Sequence, residues 1–195
     1  FDALSFDYAN DLTSQGMVNI EMVDELFMGD TSSITTNGGV IDLITGGSLI
    51  LDNSIDSNGG NVTLNSDRDA DGMGGVMLEF ESGGGIRTSG GNIVIGGGSD
   101  PLNNPTGALP QSIAKLDQPG NAQGVGAHIR TDLDAGGGNI SIRGTSNDGV
   151  GIRQSAGTIA TSGTGTITLI GESTSANDHG VSLSSGISTV DGDLD

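Results

Sequence analysis

Ile86-Arg-Thr-Ser-Gly-Gly-Asn-Ile-Val-Ile95 decides the fold, because it recurs. The pattern is an apolar residue, three small or polar residues, two glycines, one further residue, then apolar-x-apolar. Ile34 to Leu43, Ile55 to Leu64 and Leu133 to Ile142 repeat it at the same spacing; Ile159 to Leu169 carries one extra residue, and Ile187 to Leu194 ends the series. Between the copies lie further apolar pairs: Leu49 and Leu51, Val76 and Leu78, Val125 and Ala127, Val150 and Ile152, Val181 and Leu183. Alternation with period two marks a strand with one buried face, and Gly, Asn and Asp are corner residues. The unit is therefore three short strands separated by tight corners.

Taking the residue after Gly-Gly-x as a marker gives Ile20, Ile41, Val62, Ile93, Ile140, Ile167 and Leu194. The shortest interval, 21 residues, suits one coil of a β-solenoid. A single coil cannot bury its apolar side; stacked coils close a continuous core. The expectation is an all-β, right-handed parallel β-helix of about six to seven coils, three short strands each, forming one domain over residues 1–195. Residues 1–33 form an early coil or a cap, and Ile20 to Met28 also reads as a short amphipathic helix ending at Gly29. Asn61, Asn92 and Asn139 hold the same place in three copies, so their side chains are expected to hydrogen-bond up a column; alternatively, Asn simply tolerates a left-handed corner.

Composition excludes other classes. The 36 glycines have no period of three and there are only four prolines, so the chain is not collagen. Aromatic residues make up 3%, with no Trp, so no ring-filled core exists and a sugar-cleaving groove is improbable. Six basic residues against 25 acidic ones give a net charge of -19, which argues against nucleic acid and anionic lipid as partners. No segment approaches the ~20 apolar residues of a membrane span. Without cysteine, and with only His128 and His179, a zinc site or a thiol nucleophile is not expected. No signal peptide is visible, and the chain reads as a fragment of something longer.

Most of the surplus length is expected to leave the solenoid at one corner, between the Gly-Gly strand and the next one. The longest insertion, residues 96–124, holds Pro101, Pro105, Pro110, Pro119 and the sole lysine, Lys115. A loop of that length is functional or mobile. Another insertion contains Asp67-Arg-Asp-Ala-Asp-Gly72. Alternate carboxylates before a glycine resemble the first half of an EF-hand calcium loop, which makes Asp67, Asp69 and Asp71 candidate calcium ligands. Position twelve would be Leu78, with Glu79 one step beyond; the bland alternative is an Asp-rich corner. Arg87, Arg130, Arg143 and Arg153 each follow an Ile, so they should point outward. There they face anionic sugar or offset neighbours such as Asp132 and Asp134.

The recurring pattern, the Asp67 to Gly72 insertion and the Gly96-Gly-Gly-Ser-Asp-Pro101 loop together resemble the filamentous-haemagglutinin-like repeats of large bacterial exoproteins, over about Val18 to Leu194. The resemblance implies a right-handed parallel β-helix, export across a Gram-negative envelope to the cell surface, and adhesion or surface structure rather than catalysis. Expected partners are a host or neighbour-cell surface glycan or protein, or other copies of the repeat through end-to-end or lateral association. Two other readings stand beside it: a calcium-dependent carbohydrate-binding module, and a β-helical polysaccharide-degrading enzyme.

Overall fold

The computed structural model describes residues 3–6 (backbone only), 11–29, 32–52, 54–79, 84–110 and 124–191. All regular structure among them is β, so no helix is present to cross a membrane. Twenty strands fall into three parallel sheets. The first sheet holds β1 (Ala3–Phe6), β4 (Glu25–Met28), β7 (Leu49–Leu51), β10 (Val76–Leu78), β13 (Ala127–Arg130), β16 (Ile152–Ala156) and β19 (Val181–Leu183). The second holds β2 (Asp11–Ser14), β5 (Ser33–Thr36), β8 (Ser54–Asp56), β11 (Gly85–Arg87), β14 (Asp132–Asp134), β17 (Ile159–Thr161) and β20 (Ile187–Thr189). The third holds β3 (Val18–Met22), β6 (Ile41–Thr45), β9 (Val62–Ser66), β12 (Ile93–Gly97), β15 (Ile140–Ser146) and β18 (Ile167–Ser173). The chain visits the sheets in strict rotation. It forms a right-handed parallel β-helix of six complete coils, with β19 and β20 beginning a seventh.

Register stacks like on like. Leu12, Ile34, Ile55, Ile86, Leu133, Ile159 and Ile187 form one column of the second sheet. Val18, Ile41, Val62, Ile93, Ile140 and Ile167 form one of the third. Leu26, Leu49, Val76, Ala127, Ile152 and Val181 form one of the first. Apart from the terminal Leu12, Ile187 and Val181, these side chains are buried in a single aliphatic core.

The glycine pair has two distinct duties. Its first member takes a left-handed backbone, with φ of 84° at Gly38, 115° at Gly59, 118° at Gly90 and 124° at Gly137. Its second member stacks: a Cβ on Gly39, Gly60, Gly91 or Gly138 would lie 2.0–2.1 Å from a carbonyl oxygen of the coil beside it. Side-chain hydroxyls seal the same corner from within. Thr36 donates to Gly39 O at 2.7 Å, Ser57 to Gly60 O at 2.5 Å and Thr88 to Gly91 O at 2.5 Å. On the outside, Asn61 Oδ1 accepts from the Asn92 backbone N–H at 2.9 Å, Asn92 from Asn139 at 2.8 Å and Asn139 from Thr166 at 2.9 Å. The asparagine column exists, but its Asn-to-Asn rungs join a side chain to the next backbone rather than to the next side chain; only at the last rung does a side chain, Thr166 Oγ1, also donate to Asn139 Oδ1, at 3.1 Å.

Several sequence expectations need correction. Ile20 to Met28 is not helical: β3 and β4 occupy it. Ile20 pairs with Leu43, so Val18 is the residue in register with Ile41, and this interval is 23 residues rather than 21. The inward pairs of the first sheet are Ala127 with Ile129 and Ile152 with Gln154, one strand step later than hydrophobicity suggested. Val125 serves an outer cluster instead. Leu194, the last marker, lies outside the described residues.

The surplus chain does leave at the corner between the third and first sheets. The described first part of the long insertion, up to Pro110, forms a strap. Asn65 Nδ2 donates to Gly98 O at 3.1 Å and Arg143 Nε to Leu102 O at 2.5 Å, holding its first part beside the third sheet. Thr106 N then donates to Arg143 O at 3.1 Å and Ala108 N to Gly72 O at 3.1 Å, so residues 106–108 bridge strand β15 and the corner loop after β9. Leu109 and Val125 close over Ile50 and Met77 on the outer face of the first sheet, with Phe27 against them. Lys115 and Pro119 lie outside the described residues.

Gly91→Ala is expected to cost about 2 kcal/mol or more, since a methyl there meets immovable backbone. Gly16→Ala, whose Cβ would meet nothing within 4 Å, is expected to stay within about 0.5 kcal/mol of the parent. Urea unfolding of the two variants checks this; equal effects would refute the stacking role of the second glycine.

Candidate functional site

β9 ends at Ser66, and the chain turns out of the solenoid at once. Asp67 and Ala70 take left-handed backbone with φ of 53° and 58°, and Asp67 O accepts from Ala70 N at 2.9 Å. The turn folds Asp69 and Asp71 back toward Asp67. One carboxylate oxygen of each of the three lies within 4.8 Å of the others. Asp67 is buried, at 4% exposure, while Asp69 and Asp71 are exposed. Both Asp67 oxygens accept from Gly72 N at 3.2 Å, and Asp71 Oδ1 accepts from Met73 N at 2.8 Å. The strap packs against this loop: a Cβ on Gly107 would come within 2.7 Å of Asp67 Oδ2.

Burial pushes the Asp67 carboxyl up to about 7. The charges of Asp71 and Asp69 push the same way, and the Gly72 N–H opposes them. Two or three carboxylates in so small a space repel unless a proton or a cation sits among them. A hard divalent cation that takes oxygen ligands matches this donor set, and water would complete the six to eight oxygens that calcium prefers.

The sequence placed these three residues together correctly but misjudged the rest of the motif. No EF-hand closes here. Val76–Leu78 is β10, and Leu78, the twelfth residue, is fully buried in the core. Glu79 is 6% exposed and pairs with Arg130. This also revises the arginine reading. Arg130 answers Glu79 rather than Asp132, whereas Arg87 stands in register between Asp56 and Asp134. Arg68, within the aspartate loop, pairs with Glu21 across the surface. Exposed pairs of that kind contribute about 0–1 kcal/mol.

Sequence reasoning missed the setting of His128. By alternation it faces outward, yet it is only 7% exposed, between Met77 and Arg153 in register. Its Nε2 lies 2.9 Å from Ser155 Oγ, and Nδ1 has no hydrogen-bond partner. Burial, with Arg153 nearby, lowers its pKa to about 4. Nothing in the pattern around Ala127-His-Ile129 distinguishes a covered outward residue from a solvated one. Asp67 lies in the loop after β9 and His128 within β13, in different coils, so the two perturbed groups do not form a pair for acid–base chemistry.

Comparison with known proteins gives no family: no family model matches the chain, and no curated protein or solved structure matches it either.

The two shifts have opposite consequences. Asp67 is harder to ionise folded than unfolded, so its charge opposes folding increasingly as pH rises from about 4 to about 7. His128 is harder to protonate folded than unfolded, so its contribution is complete above pH 6.5 and is lost as pH falls toward about 4. At pH 8 in chelator, Asp67→Asn is expected to melt about 2–4 °C above the parent, the shift that roughly 1 kcal/mol gives in a chain of this size. The gain should vanish at pH 4. His128→Gln should remove the destabilisation between pH 6.5 and 4. Melting curves across that range decide both, and a gain for Asp67→Asn that persists at pH 4 would sink the first.

Proposed function

We propose that this chain is a non-enzymatic segment of a surface adhesin or filament exposed outside a Gram-negative cell, a rigid β-helical spacer that presents the loops of one corner to a partner. The observation that carries this reading is the stacking of six coils around one aliphatic core, in register except for a single shift where β13 meets β16 at Ile129 and Arg130. Such a core resists bending, and each coil adds about 4.8 Å of length. Most of the surplus chain gathers at one edge, where a stiff scaffold holds it toward a surface glycan or protein. The sequence resemblance to filamentous-haemagglutinin-like repeats supports the same role and compartment.

A second reading has a specific observation in its favour. Asp67, Asp69 and Asp71 converge within 4.8 Å, which suits a calcium-dependent carbohydrate-binding module. In that case calcium would favour the charged form of Asp67 and tie the corner loop to the strap.

The test immobilises the protein on beads and measures attachment to cells and to a panel of neutral and acidic glycans, with calcium and with chelator. The same glycans are assayed for new reducing ends. The spacer reading expects attachment that is indifferent to chelator and no chain cleavage. Attachment and a melting increase that both require calcium, and that are lost in Asp71→Ala, would favour the second reading. Release of reducing ends would overturn both in favour of a polysaccharide-degrading enzyme.

A further inference from the structure

The first three coils carry a groove at the same corner as the aspartate loop, and it has a chemistry that the spacer role does not use. Two adjoining hollows of about 470 Å³ each share Val23, Gly46 and Asp69, so they form one furrow. Its floor is backbone. A Cβ on Gly46 would lie 2.1 Å from Val23 O, and one on Gly74 would lie 2.6 Å from Gly47 O. The close approach of the coils therefore excludes side chains from the floor and keeps the furrow open.

The walls are acidic. Asp24 and Glu25 stand on one side and Asp69 and Asp71 on the other, all exposed. They are separated by two coil spacings, about 10 Å. Arg68 also borders the furrow, but it is engaged with Glu21, so it does not neutralise these four. The rims are apolar: Val23 is 70% exposed and Met73 60% exposed, two of the largest such exposures among the described residues. Ser48 adds a polar residue to the lining. It is 1% exposed, lines the furrow beside the core residue Leu49, and its Oγ has no hydrogen-bond partner.

We infer that this furrow binds an extended basic polypeptide segment. Lysine and arginine carry a charged head on an aliphatic stem. The stems match Val23 and Met73 at the rims, the heads match the four carboxylates, and an extended backbone can approach a floor that has no side chains. A bare cation would use the carboxylates but neither rim. The inference is independent of the spacer role, since the furrow is complete within the first three coils and the strap.

The experiment measures fluorescence anisotropy of a labelled nonapeptide of alternating lysine and valine, in chelator, against the intact chain. An alternating glutamate–valine peptide serves as the control. Asp24→Asn with Glu25→Gln should weaken binding about tenfold. Neutralising two distant exposed carboxylates, Asp134→Asn with Glu172→Gln, should change it less than about twofold. The charge-neutral pair Val23→Ser with Met73→Ser should weaken it about threefold or more. All these positions are exposed, and matching melting curves establish that the variants fold. Equal losses from the near and distant charge variants would reduce the effect to bulk attraction by an acidic protein and overturn the proposal. So would an unchanged affinity in the rim variant, or no saturable binding below about 1 mM.

Discussion

Backbone meeting backbone at one corner is the constraint from which the rest of this molecule follows. At Gly39, Gly60, Gly91 and Gly138 the coils approach so closely that no side chain fits between one peptide and the next. That approach sets the spacing at which Thr36, Ser57 and Thr88 reach the corner carbonyls from inside, and at which Asn61, Asn92 and Asn139 reach the next N–H from outside. Polar atoms that a tight turn would otherwise leave unpaired are thus satisfied at each level, where leaving them buried and bare costs about 1–3 kcal/mol apiece. The apolar columns then need only small branched side chains to fill the interior.

The opposite corner, between the third and first sheets, is built on looser terms. There the connections range from the two-residue step after β3 to the long insertion between β12 and β13, and the unusual chemistry gathers there: a carboxyl raised to about 7, unpaired hydroxyls on Ser48 and Thr106, and an acidic furrow with apolar rims. Rigidity at one edge permits this variety at the other, because the coils are already held in register without help from the loops.

The architecture was legible because each coil repeats the same requirement, so Ile86 to Ile95 and its copies announce themselves. The corner that carries surplus chain was legible from spacing alone, as was the grouping of Asp67, Asp69 and Asp71. What escaped was anything set by contact between distant segments. Val125 looked like an inward strand residue because hydrophobicity cannot tell the core from the outer cluster it joins with Ile50, Met77 and Leu109. Ile20 looked like the first marker because no Gly-Gly precedes it to fix the frame. His128 gave no sign of its burial. The furrow is invisible in the sequence, since its walls and floor come from three separate connections.

Gln154 interrupts an otherwise apolar column, standing between Ile129 and Leu183 with no exposure to solvent. Its Nε2 donates to Gly157 O at 3.1 Å and to Gly186 O at 3.0 Å, clasping the sixth turn to the seventh. A chain made of near-identical layers faces a hazard that ordinary domains escape: one layer can dock where another belongs, and the product is a well-packed but frame-shifted fold. An amide that finds its acceptors at a single level removes that degeneracy locally, and gives an otherwise monotonous stack a fixed address.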